Sequence, residues 1–135
     1  MNDQSEIRIF VVDDETVIAT TLAMILKKSG FAAVAFTNPL EALSAADSQI
    51  PDLLISDVVM PELSGIELAI QLKVKAPSCK ILLFSGESSS AGLVEAARAV
   101  GHTFELLSRP LHPVELLNRI QKLTEDAGLS ASGFR

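Results

Sequence analysis

The stretch that decides the fold is Leu53-Leu54-Ile55-Ser56-Asp57-Val58-Val59-Met60-Pro61-Glu62-Leu63-Ser64-Gly65. A short apolar run ends at a carboxylate, Pro61 and Gly65 turn the backbone away, and an amphipathic stretch begins at Ile66. This succession predicts strand, exposed acid, loop and helix. In an open parallel α/β sheet the ligand crevice lies outside the carboxyl ends of the strands, so an aspartate there faces a site and not a core. Asp57 is therefore the first functional candidate. Its plain alternative is a loop aspartate that starts a turn.

The same pattern repeats on both sides of this stretch. Upstream, Ile7 to Val12 is short, β-branched and nearly continuous in apolarity, as a strand buried on both faces should be, and it stops at Asp13-Asp14-Glu15. Ile18, Leu22, Ile25 and Leu26 then form a helical stripe, Lys27 and Lys28 suit the negative end of the helix dipole, and Gly30 closes the helix. Residues 31–36 read as a weaker, alanine-rich strand near an edge. Asn38-Pro39-Leu40-Glu41 supplies a cap, a proline at the first helical position and a glutamate at capping-box spacing, for a helix to about Ser48.

Downstream, Ser64 and Glu67 repeat the capping-box spacing for a helix that runs to about Ala76. Lys80 to Phe84 is a buried strand ending at Ser85-Gly86. Leu93, Val94, Ala97 and Val100 mark a short fourth helix closed by Gly101, and Phe104 to Ser108 is a fifth strand ending at Arg109-Pro110. His112-Pro113 opens a last helix in which Val114, Leu117, Ile120 and Leu123 or Thr124 share a face. Five strands alternating with five helices predict an α/β fold, a parallel sheet with helices on both faces and right-handed crossovers, for which a doubly wound, flavodoxin-like order of 2-1-3-4-5 is the economical choice. Residues 1–6 are expected to be an N-terminal extension, 7–126 one domain, and 127–135 a flexible tail.

Composition narrows the function. With 48% hydrophobic and 21% charged residues among 135, the chain is neither disordered nor a coiled coil. A net charge of −6, from 11 basic and 17 acidic side chains, argues against a broad nucleic-acid interface. The single Cys79 cannot form an internal disulfide, and no Cys/His cluster has zinc spacing. No run approaches the roughly 20 apolar residues that span a bilayer. The polar, acidic start is unlike a signal peptide, so a cytoplasmic protein without a membrane partner is expected.

In a parallel sheet, Asp13, Asp14, Asp57, Ser85 and Arg109 all reach one rim. Three crowded carboxylates repel one another, and a divalent cation is the natural resolution. Oxygen ligands without Cys or His favour Mg²⁺ or Mn²⁺ over Zn²⁺, and Mg²⁺ is commonly shared with a phosphate. Phosphoryl chemistry is the expectation.

At these residues the chain resembles the receiver domain of two-component response regulators. The resemblance rests on Asp13-Asp14 after the first strand, Asp57-Val58-Val59-Met60-Pro61 with Gly65 after the third, Ser85-Gly86 after the fourth, and Arg109-Pro110 after the fifth. It implies that Asp57 accepts a phosphoryl group from a sensor histidine kinase or phosphotransfer protein. It implies that Asp14, Asp57 and the Val59 carbonyl bind Mg²⁺, with Asp13 contributing directly or through water. Ser85 and Arg109 would hold the phosphoryl oxygens, and Ser85 would swing inward. Output would pass to a downstream protein through the face formed by the fourth helix, fifth strand and fifth helix; a homodimer is left open. Such a chain is not an enzyme beyond catalysing its own phosphoryl transfer and dephosphorylation.

The chain departs from the family pattern at three places. Arg109 stands where the family has lysine, and a guanidinium is longer, always charged and suited to bidentate contacts. It supports an alternative in which Arg109 locks one conformation and the domain works as a phosphorylation-independent interaction module. The family's switch aromatic falls at Leu106, and the nearest aromatic, Phe104, shares that strand face and reads as core. Val59, at a position that the resemblance links to dephosphorylation rate, cannot orient a water by hydrogen bonding. A phosphohydrolase of the haloacid dehalogenase type would need an aspartate where Val59 stands, and a flavin carrier would need a phosphate loop where Asp13 and Asp14 stand.

Overall fold

The computed structural model describes residues 7–85, 92, 95, 98, 101, 104–108 and 112–126. In chain order these are β1 (Arg8–Val12), α1 (Thr16–Lys28), β2 (Ala32–Phe36), α2 (Pro39–Ala45), β3 (Leu53–Asp57), α3 (Gly65–Lys75), β4 (Lys80–Ser85) and β5 (Glu105–Ser108). A C-terminal helix, Pro113–Asp126, follows. Between β4 and β5, Gly92, Glu95 and Arg98 are helical and exposed, and Gly101 has φ 98°. The rest of the expected fourth helix, together with residues 1–6 and 127–135, lies outside the described residues.

All five strands are parallel, in the order β2-β1-β3-β4-β5. The alanine-rich β2 stands at an edge, as expected from its weak strand propensity. The three interior strands carry the continuous apolar runs, because helices cover both faces of the sheet. Alternation divides their side chains. Phe10, Val12, Leu54 and Leu83 pack with Ala42, Leu43, Leu68 and Leu72 of α2 and α3. Ile9, Val11, Leu53, Ile55, Leu82 and Phe84 pack with Leu22, Ala23 and Leu26 of α1 and with Leu116 and Ile120 of the C-terminal helix. Each fully buried side chain of this size contributes about 1.5–3 kcal/mol. The exposed ion pairs Lys75–Asp47 and Arg98–Glu95 contribute roughly 0.2–1 kcal/mol apiece, so the two apolar layers decide the stability.

Local signals set the helix ends. Asn38 caps α2 through Leu40 N–H at 2.8 Å, and Pro39 stands at its first helical position. Ser64 and Glu67 form both halves of a capping box on α3. Gly30, with φ 100°, closes α1 in a conformation that side chains disfavour. α2 ends at Ala45, earlier than expected, because the chain tightens into i→i+3 bonds from Asp47 to Ser44 and from Ser48 to Ala45.

Two expected helix faces are rotated. α1 buries Ala19, Leu22, Ala23 and Leu26, with Ile18 and Ile25 on the flanks, since small alanines let the helix approach the sheet. The C-terminal helix buries Leu116, Ile120 and Thr124 at i, i+4 and i+8, with Leu117 and Leu123 beside them. Val114 is exposed, because two residues along a helix rotate a side chain by about 200° from Leu116.

Cys79 is buried in the layer under α3, and burial pushes its thiol from 9.0 up to about 12, opposed weakly by Lys73. A raised folded-state value means that the stability held by the neutral thiol is complete below about pH 9 and is lost as pH rises toward 12. The folded protein is therefore expected to resist thiol alkylation at pH 8 until it unfolds. Between pH 9 and 12 it should lose stability faster than Cys79→Ala, as followed by chemical denaturation. Rapid alkylation of native protein would contradict this assignment.

Candidate functional site

The site is built where β1 and β3 end side by side at the middle of the sheet. Val12 pairs with Ser56, so the residues that follow, Asp13 and Asp57, leave the sheet at the same level. The Asp13 N–H still donates to Phe36 O at 3.1 Å, which continues the β1–β2 ladder. Asp13 is fully buried, and its Oδ1 accepts from Glu15 N–H at 2.9 Å. Asp14 is exposed. The N-cap of α1 is Glu15, and no acid lies in its first turn, so neither Asp13 nor Asp14 serves to start that helix.

Asp57 is the last residue of β3 and is 9% exposed. Its Oδ1 accepts a long hydrogen bond from Val59 N–H at 3.4 Å. The loop after it is pinned from both sides: Val58 N–H donates to Phe84 O at 3.0 Å, and Gly65 N–H donates to Val58 O at 2.8 Å. Val58 and Met60 are buried in the layer beneath, whereas Val59 is 49% exposed. The apolar residues of the loop thus anchor it, and the acid stays at the rim.

Carboxylate oxygens of Asp13, Asp14 and Asp57 lie within 4.8 Å of one another. Oxygens across an octahedral Mg²⁺ stand about 4.2 Å apart, so this spread needs little closing. Like charges at such distances repel, and a cation among them relieves the repulsion. A divalent cation fits the donor set in number, spacing and chemistry. Asp13, Asp14 and Asp57 would hold it.

Ser85 ends β4 and is buried, one position beyond Phe84, the register partner of Asp57. It pairs with Ser108 at the end of β5. Arg109 follows Ser108 in the chain and lies outside the described residues. Phe104 is buried in the layer under α2 and α3, and Leu106 packs against the same layer half-buried, as alternation requires. Phe104 is core. The sequence reading missed Ser56, whose Oγ–H donates to the Asp57 carbonyl at 2.9 Å, and the tight contact of that carbonyl with Gly65. The signal was a lone hydroxyl within an otherwise apolar strand.

The comparisons agree with this geometry. Residues 9–121 match the family model of the response regulator receiver domain. The chain belongs to the response regulator receiver family. It is 33% identical to the transcriptional regulatory protein CreB of Escherichia coli over 118 residues, which are 85% of this chain and 49% of that protein. It is 30% identical to the chemotaxis protein CheY of Listeria monocytogenes over 117 residues, covering 86% of this chain and 97% of that one. Among solved structures, the chemotaxis protein CheY4 of Vibrio cholerae superposes with a TM-score of 0.75 at 28% identity, covering 87% of this chain and 98% of that one. The first relatives, including CreB, are proteins of which this receiver spans about half the length.

Mg²⁺ is expected to raise the thermal midpoint of the wild-type receiver. At a hundredfold excess over the dissociation constant the gain is about 2.7 kcal/mol. Asp57→Ala should lose most of this gain, because one of the three carboxylates is gone. Equal gains in both proteins, read by differential scanning fluorimetry, would contradict the site.

Proposed function

We propose that this receiver takes a phosphoryl group on Asp57 from a sensor histidine kinase or phosphotransfer protein in the presence of Mg²⁺ (or Mn²⁺). The observation that carries the reading is the meeting of three carboxylates at adjacent strand ends, with Asp57 at the end of the central strand and Ser85 at the end of its neighbour. In the transfer, an Asp57 carboxylate oxygen attacks phosphorus, the N–P bond of the phosphohistidine breaks, and the electron pair returns to the imidazole nitrogen. When bound, Mg²⁺ supplies Lewis-acid stabilisation of the phosphoryl oxygens. Val59 N–H orients the Asp57 carboxylate through Oδ1, and the Ser85 hydroxyl donates to a phosphoryl oxygen.

The chain's chemistry is limited, in this proposal, to its own phosphorylation and dephosphorylation. Its output is a change of protein interface on the face that includes β5 and the C-terminal helix. The proposal includes a cytoplasmic location; among the described residues no helix is long and apolar enough to cross a membrane. The alternative of a phosphorylation-independent module rests on Arg109 alone, and no described residue favours it.

Incubation with a small acyl phosphate and Mg²⁺ is expected to add one phosphoryl mass to wild type and none to Asp57→Ala. Chelation should abolish the adduct. A folded, Mg²⁺-binding wild type that gains no mass from the acyl phosphate or from a kinase would sink the proposal.

Val59 bears on the lifetime of the adduct. Its side chain is 49% exposed at the loop beside Asp57 and offers no hydrogen bond to an attacking water. The aspartyl phosphate is expected to be long-lived, and Val59→Asn should shorten its half-life severalfold. The decay of the phosphorylated mass with time measures this; an unchanged half-life would remove Val59 from the account.

A further inference from the structure

The Asp57 peptide carbonyl is held against two residues outside the carboxylate cluster. Ser56 is fully buried and donates from Oγ to Asp57 O at 2.9 Å. Next to it stands Gly65, the first residue of α3. A Cβ built there would lie 2.1 Å from Asp57 O and 3.0 Å from both Asp57 C and Ser56 Oγ. No side chain fits that gap, because the nearest atom, Asp57 O, is backbone and cannot swing aside as a side-chain tip would. Gly65 N–H then donates to Val58 O at 2.8 Å, so α3 begins locked against two successive peptide groups of the acid-bearing turn.

These contacts follow from the fold. By strand alternation Ser56 shares the face of Leu54, the face that α3 covers, while Asp57 is the next residue along. A buried hydroxyl is unfavourable unless bonded, and the neighbouring carbonyl satisfies it at the point where β3 ends. That carbonyl belongs to the residue whose carboxylate must be held in place. Small displacements of a reacting group cost large factors in rate, so a brace on its backbone has functional weight.

We propose that Ser56 and Gly65 are positioning residues: together they clamp the Asp57 carbonyl and thereby preorganise the Asp57 carboxylate for divalent-cation binding and phosphoryl acceptance. The phosphoryl part of this inference rests on the function proposed above; the cation part does not. Loss of the Ser56 hydroxyl frees one side of the carbonyl without touching any carboxylate.

The test compares wild type with Ser56→Ala, Ser56→Thr and Gly65→Ala. Mn²⁺ binding by calorimetry and phosphorylation by a small acyl phosphate are measured on protein shown to be folded by circular dichroism. Ser56→Ala is expected to bind Mn²⁺ about 3- to 10-fold more weakly, at the lower end of effects seen when a supporting shell is removed. It should also be phosphorylated more slowly at saturating Mg²⁺, which a purely stabilising hydroxyl would not cause. Ser56→Thr, which keeps the hydroxyl on a residue suited to strands, should recover both. Gly65→Ala should show both defects more strongly, and if it fails to fold, the Ser56 variants still decide.

Wild-type Mn²⁺ affinity and phosphorylation rate in folded Ser56→Ala would overturn the clamp and leave the proposed function standing. A wild type that binds Mn²⁺ but accepts no phosphoryl group would overturn the proposed function, with the Mn²⁺ comparison still deciding the clamp. A wild type that binds no Mn²⁺ would overturn both.

Discussion

A carboxylate placed at the end of a strand buried on both faces is the constraint on which this molecule turns. β3 must be apolar along its length because helices cover it on either side, and yet its last residue is Asp57, only slightly exposed. Parallel pairing makes the strategy workable. With every strand running the same way, the neighbouring β1 ends at the same level and delivers Asp13 and Asp14 to the same rim. The charge is thereby concentrated where a small cation and a phosphoryl group can reach it, while the apolar layers below stay free of ionised groups.

The two layers are unequal in what they do for the site. The layer under α2 and α3 includes Val58 and Met60 from the loop itself, so the turn after Asp57 is fastened into the core by its own side chains. α3 then starts at Gly65 in direct contact with the acid's peptide group. The opposite layer, under α1 and the C-terminal helix, fixes the heights of β1 and β3 through Ile9, Val11, Leu53 and Ile55. Both layers hold β1 and β3, and the α2/α3 layer holds the turn as well. Disturbing either would move the carboxylates relative to one another.

Much of this was legible in the sequence, for identifiable reasons. The placing of Asp13, Asp14, Asp57 and Ser85 at strand ends followed from apolar runs that stop at polar residues, whereas the strand order was the economical choice for alternating strands and helices and not a local signal. Capping of α2 and α3 was readable because Asn38-Pro39 and Ser64 with Glu67 act locally. Helix faces were less so. Ala19 and Ala23 carry little hydrophobic weight in a pattern, but they are the residues α1 buries, since the sheet selects for closeness as well as apolarity. Val114 was placed on the wrong face because a pattern read from the helix start cannot know which neighbour the first turn meets. The grip of Ser56 on the Asp57 carbonyl was hidden for a related reason: it depends on the approach of α3, which no local pattern encodes.

The relatives show why the chemistry and the output of such a chain can be separated. The Listeria chemotaxis protein is matched over nearly its whole length, whereas CreB is matched over about half of it. The same five-stranded unit therefore serves in proteins of different extent. That is possible because the acid rim is assembled wholly from strand ends within the unit, so its competence does not depend on what adjoins it. Signalling must then begin with a change at the rim that the surrounding backbone transmits. In this chain the Asp57–Val58 turn of that backbone is held by Ser56, Phe84 and Gly65. Under the function proposed above, a phosphoryl group added to Asp57 would meet a peptide group that cannot relax far, so the adjustment must pass to other groups at the rim.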